Sequence, residues 1–486
     1  MRLSEDWVMG EQKTDVVILG AGTAGFQAMA QLRRAGRDVL MFDGGTLGTT
    51  CARVGCMPSK VAIQIGEDLH RGRHAFGEDG ISGGDGLTLD RAAALRRVRA
   101  LRDGFVKKTN ARTVDAMEPG RLIRHHGRFV EPTVLEAGGE RYRFDTAVIA
   151  TGSRPVLPPS WVERLGDRLL HTDMLFEQET LPDRIAVVGL GAIGLELGQA
   201  LSRWGITVTG FDLQETIAGL VDPVARDAAL AALRQSFPIH LGLAADPQVT
   251  ADGIAMDTPN GPVIVDAVIA AMGRRPNLDG LGLDALGIET DKRGMPEYDP
   301  ATMRIGKTPI FFAGDVNGDR AVLHEAADEG RIAGWNVARA DAPTRFRRKV
   351  PLGVVFSDPN IATVGPVADI VASPDTVVGT AAMTANGRAT VLGQTGGVLR
   401  VYGRKTDGRL LGASLIGVHA EHLGHLMAWA VQAGTTVYDT LSMPFYHPVV
   451  EEALQNALRD LAGQVGKPVD VPWDLIPEDA TPLAAD

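Results

Sequence analysis

One pattern, present twice, constrains this chain more than any other feature. The apolar run Thr14–Leu19 leads into Gly20-Ala21-Gly22-Thr23-Ala24-Gly25, a helical stretch to Arg34, and a second apolar run from Val39 to Asp43. Further on, Ile185–Val188 leads into Gly189-Leu190-Gly191-Ala192-Ile193-Gly194, a helical stretch to Arg203, and Ile206–Phe211 ending at Asp212. In each copy the acid follows the first glycine by 23 residues. Strand, G-x-G-x-x-G, helix, strand and acid is the order a dinucleotide site needs. The first glycine permits the turn and the second lets a pyrophosphate approach the backbone. Amides at the helix N-terminus meet its charge, and the acid accepts hydrogen bonds from a ribose. A single glycine loop is a weak signal, but two with matching flanks predict two bound dinucleotides.

Each copy is followed by a related apolar strand that ends in a glycine turn. These are Val148–Pro155, with Thr151 and Gly152, and Val268–Asn277, with Gly273; a third, Ile310–Asp315, ends in Gly314-Asp315. A chain of 486 residues exceeds what one core supports, so several domains are expected. The net charge of −11, without a long Lys/Arg run, argues against nucleic acid or an anionic membrane as partner. The longest apolar stretch, Ile185–Leu201, holds four glycines and Glu196, so it reads as a buried strand and helix and no transmembrane span is expected. The polar, acidic start MRLSEDWVMGEQKTD is unlike a signal peptide, and a cytoplasmic location is expected.

The chain's two cysteines, Cys51 and Cys56, lie within six residues of each other. Chance would place two that close roughly one time in fifty, which points to a shared role. A structural disulfide would close too short a loop to stabilise much. A metal site would need further ligands close by, and none stands near the pair, so no metal is expected. A redox pair is the favoured reading. In a regular helix, residues five apart have Cα atoms roughly 8–9 Å apart, beyond the roughly 7 Å a disulfide spans. The segment must therefore be distorted, with Gly55 placed to allow it and regular helix expected only from near Pro58.

The run Gly48-Thr49-Thr50-Cys51-Ala52-Arg53-Val54-Gly55-Cys56-Met57-Pro58-Ser59-Lys60 resembles the redox signature of the class I pyridine nucleotide-disulfide oxidoreductases, and most of all their dihydrolipoamide dehydrogenase branch. The likeness extends from about residue 14 to about 465. It implies an α/β fold of two Rossmann-like dinucleotide-binding domains, for FAD and NAD, and a C-terminal α+β dimerisation domain. Residues 1–155 and 278–346 would form the FAD domain, 156–277 the NAD domain and 347–486 the dimerisation domain. The last is marked by Val354–Asn360, Gly396–Val401, Leu410–Gly417 and a helix over 421–434. By the same resemblance Gly20, Gly22, Gly25, Asp43, Lys60, Thr151, Gly152, Gly314 and Asp315 bind FAD. Gly189, Gly191, Gly194, Asp212 and Gly273 bind NAD.

The resemblance also implies a mechanism. Cys56 faces the flavin as a thiolate, and Cys51 exchanges with the substrate disulfide. Lys60 and Glu196 lie beside the flavin's reactive ring. His447-Pro448 and Glu452 match the family's acid–base pair, whose histidine is supplied by the other subunit of a homodimer. The sequence departs from the common family wording at Thr49, at Arg53, where Asn is usual, at Leu323-His324-Glu325, and in an acidic tail after Lys467.

The expected activity is oxidation of dihydrolipoamide, or another small dithiol, with reduction of NAD, and a 2-oxo acid dehydrogenase complex is a candidate partner. The alternative is a related NAD(P)H-dependent disulfide, quinone or dye reductase. A C-terminal cysteine, as in mercuric reductase or some thioredoxin reductases, is absent, and Asp212-Leu213-Gln214 favours NAD over the NADP of glutathione reductase. A scaffold role is disfavoured by the lack of a lipoyl domain and a long Ala/Pro linker. A sensor role is disfavoured by the intact set Lys60, Glu196, His447 and Glu452.

Overall fold

A computed structural model describes residues 11–78 and 80–466, together with 472, 474–476 and 478. The start MRLSEDWVMG and most of the acidic tail singled out above lie outside the described residues.

The first sheet is built on the strand Gln12–Leu19, whose last four residues are buried on both faces. It pairs in parallel with Val39–Phe42 on one side and Glu140–Ile149 on the other. Ile310–Phe312 extends the sheet in parallel beyond Glu140–Ile149. Continuous apolar runs of this kind are what a parallel sheet covered on both sides requires. The helix Thr23–Arg34 ends in Arg33 and Arg34, which complement its C-terminal dipole. It buries Ala24, Ala28, Met29 and Leu32, in part against the helix Leu323–Val337. There Gly330 and Gly334 let the two backbones touch, since a Cβ on either would lie 2.2 Å from Ala24 O or 2.5 Å from Ala28 O.

The second sheet repeats the plan. Arg184–Val188 pairs in parallel with Thr207–Phe211 and with Ala267–Ala270. The stretch Ile185–Leu201 thus resolves into a buried strand and the helix Ala192–Arg203. The two sheets are tied by a short antiparallel pair, Ser153–Pro155 with Arg274–Pro276. There the two related glycine turns meet: Thr151 Oγ1 donates to Asn277 O at 2.7 Å, and Asn277 Nδ2 returns to Thr151 O at 2.9 Å.

The C-terminal part is a five-stranded antiparallel sheet in the order Leu352–Val355, Asn360–Val364, Leu410–Gly417, Val398–Arg404, Thr376–Ala382. The helix Ala420–Ala433 covers one part of it, with Gly424 set against Ala362 and Leu352. The helix Glu451–Ala462 lies so close to the edge strand that a Cβ on Gly379 would sit 2.0 Å from Ala457 O. Asp222, at the start of the helix Pro223–Leu233, reaches this sheet by accepting from Arg400 Nε at 3.0 Å and Tyr402 Oη at 2.9 Å. No helix among the described residues is long and apolar enough to cross a membrane.

Candidate active site

Both glycine loops, both cysteines, Lys60, Glu196, Asp212, Gly152, Gly273, Gly314 and Asp315 face one cavity of about 980 Å³. The two loops are superposable in their chemistry. Gly20 and Gly189 have φ of 110° and 94°, and a Cβ on either would strike the carbonyl of Ala150 or Ala271 at 2.3 and 2.4 Å. A Cβ on Gly25 or Gly194 would lie 2.1 or 1.8 Å from the carbonyl of Gly20 or Gly189. The protein's own packing therefore explains the first and third glycines. The middle ones differ: around Gly22 and Gly191 nothing lies within 4 Å of a Cβ. Each is the N-cap of its helix, and neither helix has a side-chain cap. Free helix amides opening on empty space at a glycine are what a pyrophosphate needs, so the residues fit both dinucleotides.

Asp43 and Asp212 hold these loops in the same way. Asp43 accepts from Ala21 N at 2.8 Å and Gly45 N at 2.8 Å. Asp212 accepts from Leu190 N at 2.6 Å and Gln214 N at 2.8 Å. The acids therefore anchor their loops; Asp212 lines the cavity and Asp43 does not. Asp315 accepts from Ser153 Oγ at 2.9 Å, and Arg274 Nε donates to the same hydroxyl at 2.8 Å. Glu329, which sequence reasoning missed, is fully buried and accepts from Gly314 N and Asn317 Nδ2, each at 2.7 Å. Burial pushes its carboxyl up to about 6, against the pull of Arg348. Its only sequence signal was a glutamate on the apolar face of a helix.

The cysteine segment is distorted, as the spacing requires. Thr50–Arg53 forms one short turn, and Val54 N and Gly55 N both return to Thr50 O, at 3.0 and 2.8 Å. A Cβ on Gly55 would crowd that carbonyl at 3.1 Å. The long helix begins at Cys56, two residues before the expected Pro58, because the break at Val54-Gly55 already frees the backbone to start again. Both cysteines are thiols. The Cys51 S–H bond to Cys56, with help from the Lys60 charge and against burial, lowers Cys56 to about 7. The same hydrogen bond, with burial, pushes Cys51 far up. One proton is therefore lost easily from the pair and the second is held.

Lys60 Nζ donates to Glu196 Oε2 at 2.7 Å, joining the helix Cys56–Glu78 to Ala192–Arg203. Glu196 is buried, and its other oxygen accepts from Phe356 N at 3.0 Å, while Lys60 stands 4.6 Å above the Phe356 ring. His447 does not line the cavity. Its Nδ1 lies 2.9 Å from Glu452 Oε1, and Glu452 Oε2 accepts from Val449 N at 3.1 Å. The imidazole hydrogen bond, then the amide, hold the Glu452 carboxyl below its usual range. Pro448 precedes the helix, which starts at Glu451, because the turn between them closes on Glu452 instead. The His447 side chain is 80% exposed, and Tyr446, Trp429 and Met443 are exposed in the same part of the chain. Glu325, in the altered Leu323-His324-Glu325 motif, is buried between Arg320 and Arg348.

Comparison with known proteins agrees with this geometry. The family profile described as pyridine nucleotide-disulphide oxidoreductase matches residues 14–342, and the family's dimerisation-domain profile matches 352–458. A dihydrolipoyl dehydrogenase of Thermus scotoductus is 31% identical over 93% of this chain and 98% of its own length. One from Halobacterium salinarum is 31% identical over 93% and 96%. Among solved structures, LpdA from Mycobacterium tuberculosis superposes with a TM-score of 0.79 at 24% identity, covering 92% of this chain and 99% of its own. The HOCl-induced flavoprotein disulfide reductase RclA from Escherichia coli, solved as a Cu(II) complex, gives 0.79 at 23% identity, covering 92% and 99%. At those identities the two structures speak for the fold.

Proposed function

The chain belongs to the pyridine nucleotide-disulphide oxidoreductases, FAD- and NAD-dependent enzymes, and from that premise we propose that it oxidises a dithiol of the dihydrolipoamide class and reduces NAD. The observation that carries this reading is the arrangement around Cys56. A thiol lowered to about 7 stands with the Lys60–Glu196 ion pair on the wall of the one cavity that both glycine loops share.

In the proposed reaction the substrate dithiol closes to a disulfide while the Cys51–Cys56 disulfide opens. The two electrons stay on the enzyme's sulfurs, one proton ends on Cys51 and the other on His447 of the partner subunit, which leaves Cys56 as the thiolate. FAD, when bound, supplies the two-electron carrier between that dithiol and NAD. Cys51, on the short turn Thr50–Arg53, exchanges with the substrate sulfur. Cys56 holds the negative charge, stabilised by the Cys51 S–H and by Lys60. Glu196 fixes Lys60 in place from a buried position. His447 of the partner subunit takes the proton from the incoming thiol, with Glu452 orienting its ring through Nδ1 so that Nε2 is the working nitrogen.

A second reading is favoured by one residue. Arg53, on the same turn as Cys51, has a buried Nε without a partner and no ion pair among the described residues. A cation two residues from Cys51, although it does not line the cavity, suits a disulfide that carries an anion. Steady-state assays separate the readings. Dihydrolipoamide should support NAD reduction with a kcat/KM well above the values for NADH with glutathione disulfide or a quinone. NADH-driven reduction of glutathione disulfide, with no turnover of dihydrolipoamide, would replace the first reading by the second.

A further inference from the structure

Outside the cavity, the start of the helix Ala420–Ala433 gathers three metal-ligating side chains. His419 Nδ1 lies 3.9 Å from Glu421 Oε1, and His422 Nε2 lies 3.4 Å from the same oxygen. All three ligand atoms fall within 4.8 Å of one another. We propose that His419, Glu421 and His422 form a binding site for one divalent transition metal of zinc's class, separate from the redox centre.

The distances fit that chemistry. Tetrahedral zinc with bonds of about 2.0–2.1 Å to nitrogen and oxygen holds its ligands roughly 3.3–3.4 Å apart. Of the three pairs, His422 with Glu421 already has that separation, His419 with Glu421 exceeds it by about half an ångström, and the two histidines lie within 4.8 Å of each other. The imidazoles, 54% and 72% exposed, are free to close the remaining distance. His419 sits at the N-cap in the left-handed region, φ 57° and ψ 24°, while Glu421 and His422 follow on the first turn. Three ligands thus come from four consecutive residues held by a helix start.

A second observation, independent of the spacing, is the state of Glu421. Its side chain is only 19% exposed, and its Oε2 is buried without a hydrogen-bond partner. Among the described residues its ion-pair partners are the two histidines, and no lysine or arginine reaches it. A carboxylate oxygen withdrawn from water and left unpaired is costly. A dication gripped by both Glu421 oxygens would satisfy Oε2 as well as Oε1, the oxygen that the two histidines approach. Two neutral imidazoles and a carboxylate select a borderline metal over Ca²⁺ or Mg²⁺, which take oxygen ligands. Three protein ligands leave a fourth position for water or another donor.

The test uses tag-free, chelator-stripped, FAD-loaded enzyme carrying Cys51→Ser and Cys56→Ser, so that thiolates cannot take the metal. Calorimetric titration with zinc chloride should show one zinc per chain, with Kd on the order of 10 µM or tighter. Glu421→Gln, His419→Ala and His422→Ala should each weaken binding at least about tenfold. X-ray absorption should show nitrogen and oxygen ligands only. His422 is so exposed that its variant tests the site even where Glu421→Gln fails to fold. No uptake at about 100 µM zinc, or unchanged affinity in the folded His419→Ala and His422→Ala variants, overturns the proposal.

Discussion

Cys51 and Cys56 share one easily lost proton, and the charge left behind belongs on Cys56. That follows from the hydrogen bond between them and from Lys60, which outweigh burial. Thiolate should be scarce below about 7 and fully formed above it, so a pH titration of the reduced enzyme by ultraviolet thiolate absorbance should show one step with a midpoint of about 7. A first step near the ordinary value of about 8.5 would remove the basis for a poised pair. Asp212 offers a second test at this scale. Both its oxygens already accept backbone amides, so its charge is fixed on the cavity wall and would repel a 2′-phosphate. Preference for NAD over NADP should amount to about 2–4 kcal/mol, or roughly 30- to 1000-fold in kcat/KM. Equal use of the two cofactors would contradict that placement. The motif made Asp212 visible, yet its bonds to Leu190 N and Gln214 N could not be read from spacing, because many loop geometries satisfy the same residue order.

Elements show why some of the site was legible and some was not. The duplicated loops announce themselves because glycine is demanded at fixed offsets by carbonyls of the protein itself, such as that of Gly20 beside Gly25. The edge strand Thr376–Ala382 had no comparable signal, since its alternation is weak and five of its residues are half-buried. The start of the helix at Cys56 escaped for a different reason. Proline rules place helix starts, but here the start is set by a turn closing on Thr50 O. The glycines also yield a differential prediction. Gly22→Ala and Gly191→Ala place a methyl in open cavity and should leave thermal stability nearly unchanged. The first should release FAD and the second should raise the KM for NADH with FAD retained, each by at least about tenfold. Gly25→Ala forces backbone apart at 2.1 Å and should cost about 2–4 kcal/mol of stability. Denaturation curves and flavin retention on a desalting column distinguish the two classes of glycine. A large stability loss in Gly22→Ala would mean that packing, not phosphate, explains that position.

At the scale of the molecule, the fold class was legible because strand, glycine loop and acid recur, and because the C-terminal strands alternate with glycine turns. The buried anchors between parts, such as Asp222 with Arg400 and Tyr402, were not, since they join residues 178 and 180 apart without a shared motif. The same difficulty surrounds His447. The chain alone leaves its ring exposed and outside the cavity that holds Cys51. The proposed chemistry needs the two within one hydrogen-bond relay, so the account requires a two-fold dimer that brings each histidine to the other subunit's cysteines. His447→Gln should keep FAD and dye reduction, yet lose about two to four orders of magnitude in dithiol turnover. Cys51→Ser should be inactive with dithiols for its own reason. The decisive measurement mixes the two variants, verifies subunit exchange by mass spectrometry, and assays dihydrolipoamide oxidation. Half the dimers would then carry one site with both Cys51 and His447 intact, so activity should return to about one quarter of wild type. Verified exchange with no return of activity would contradict a catalytic centre shared between subunits.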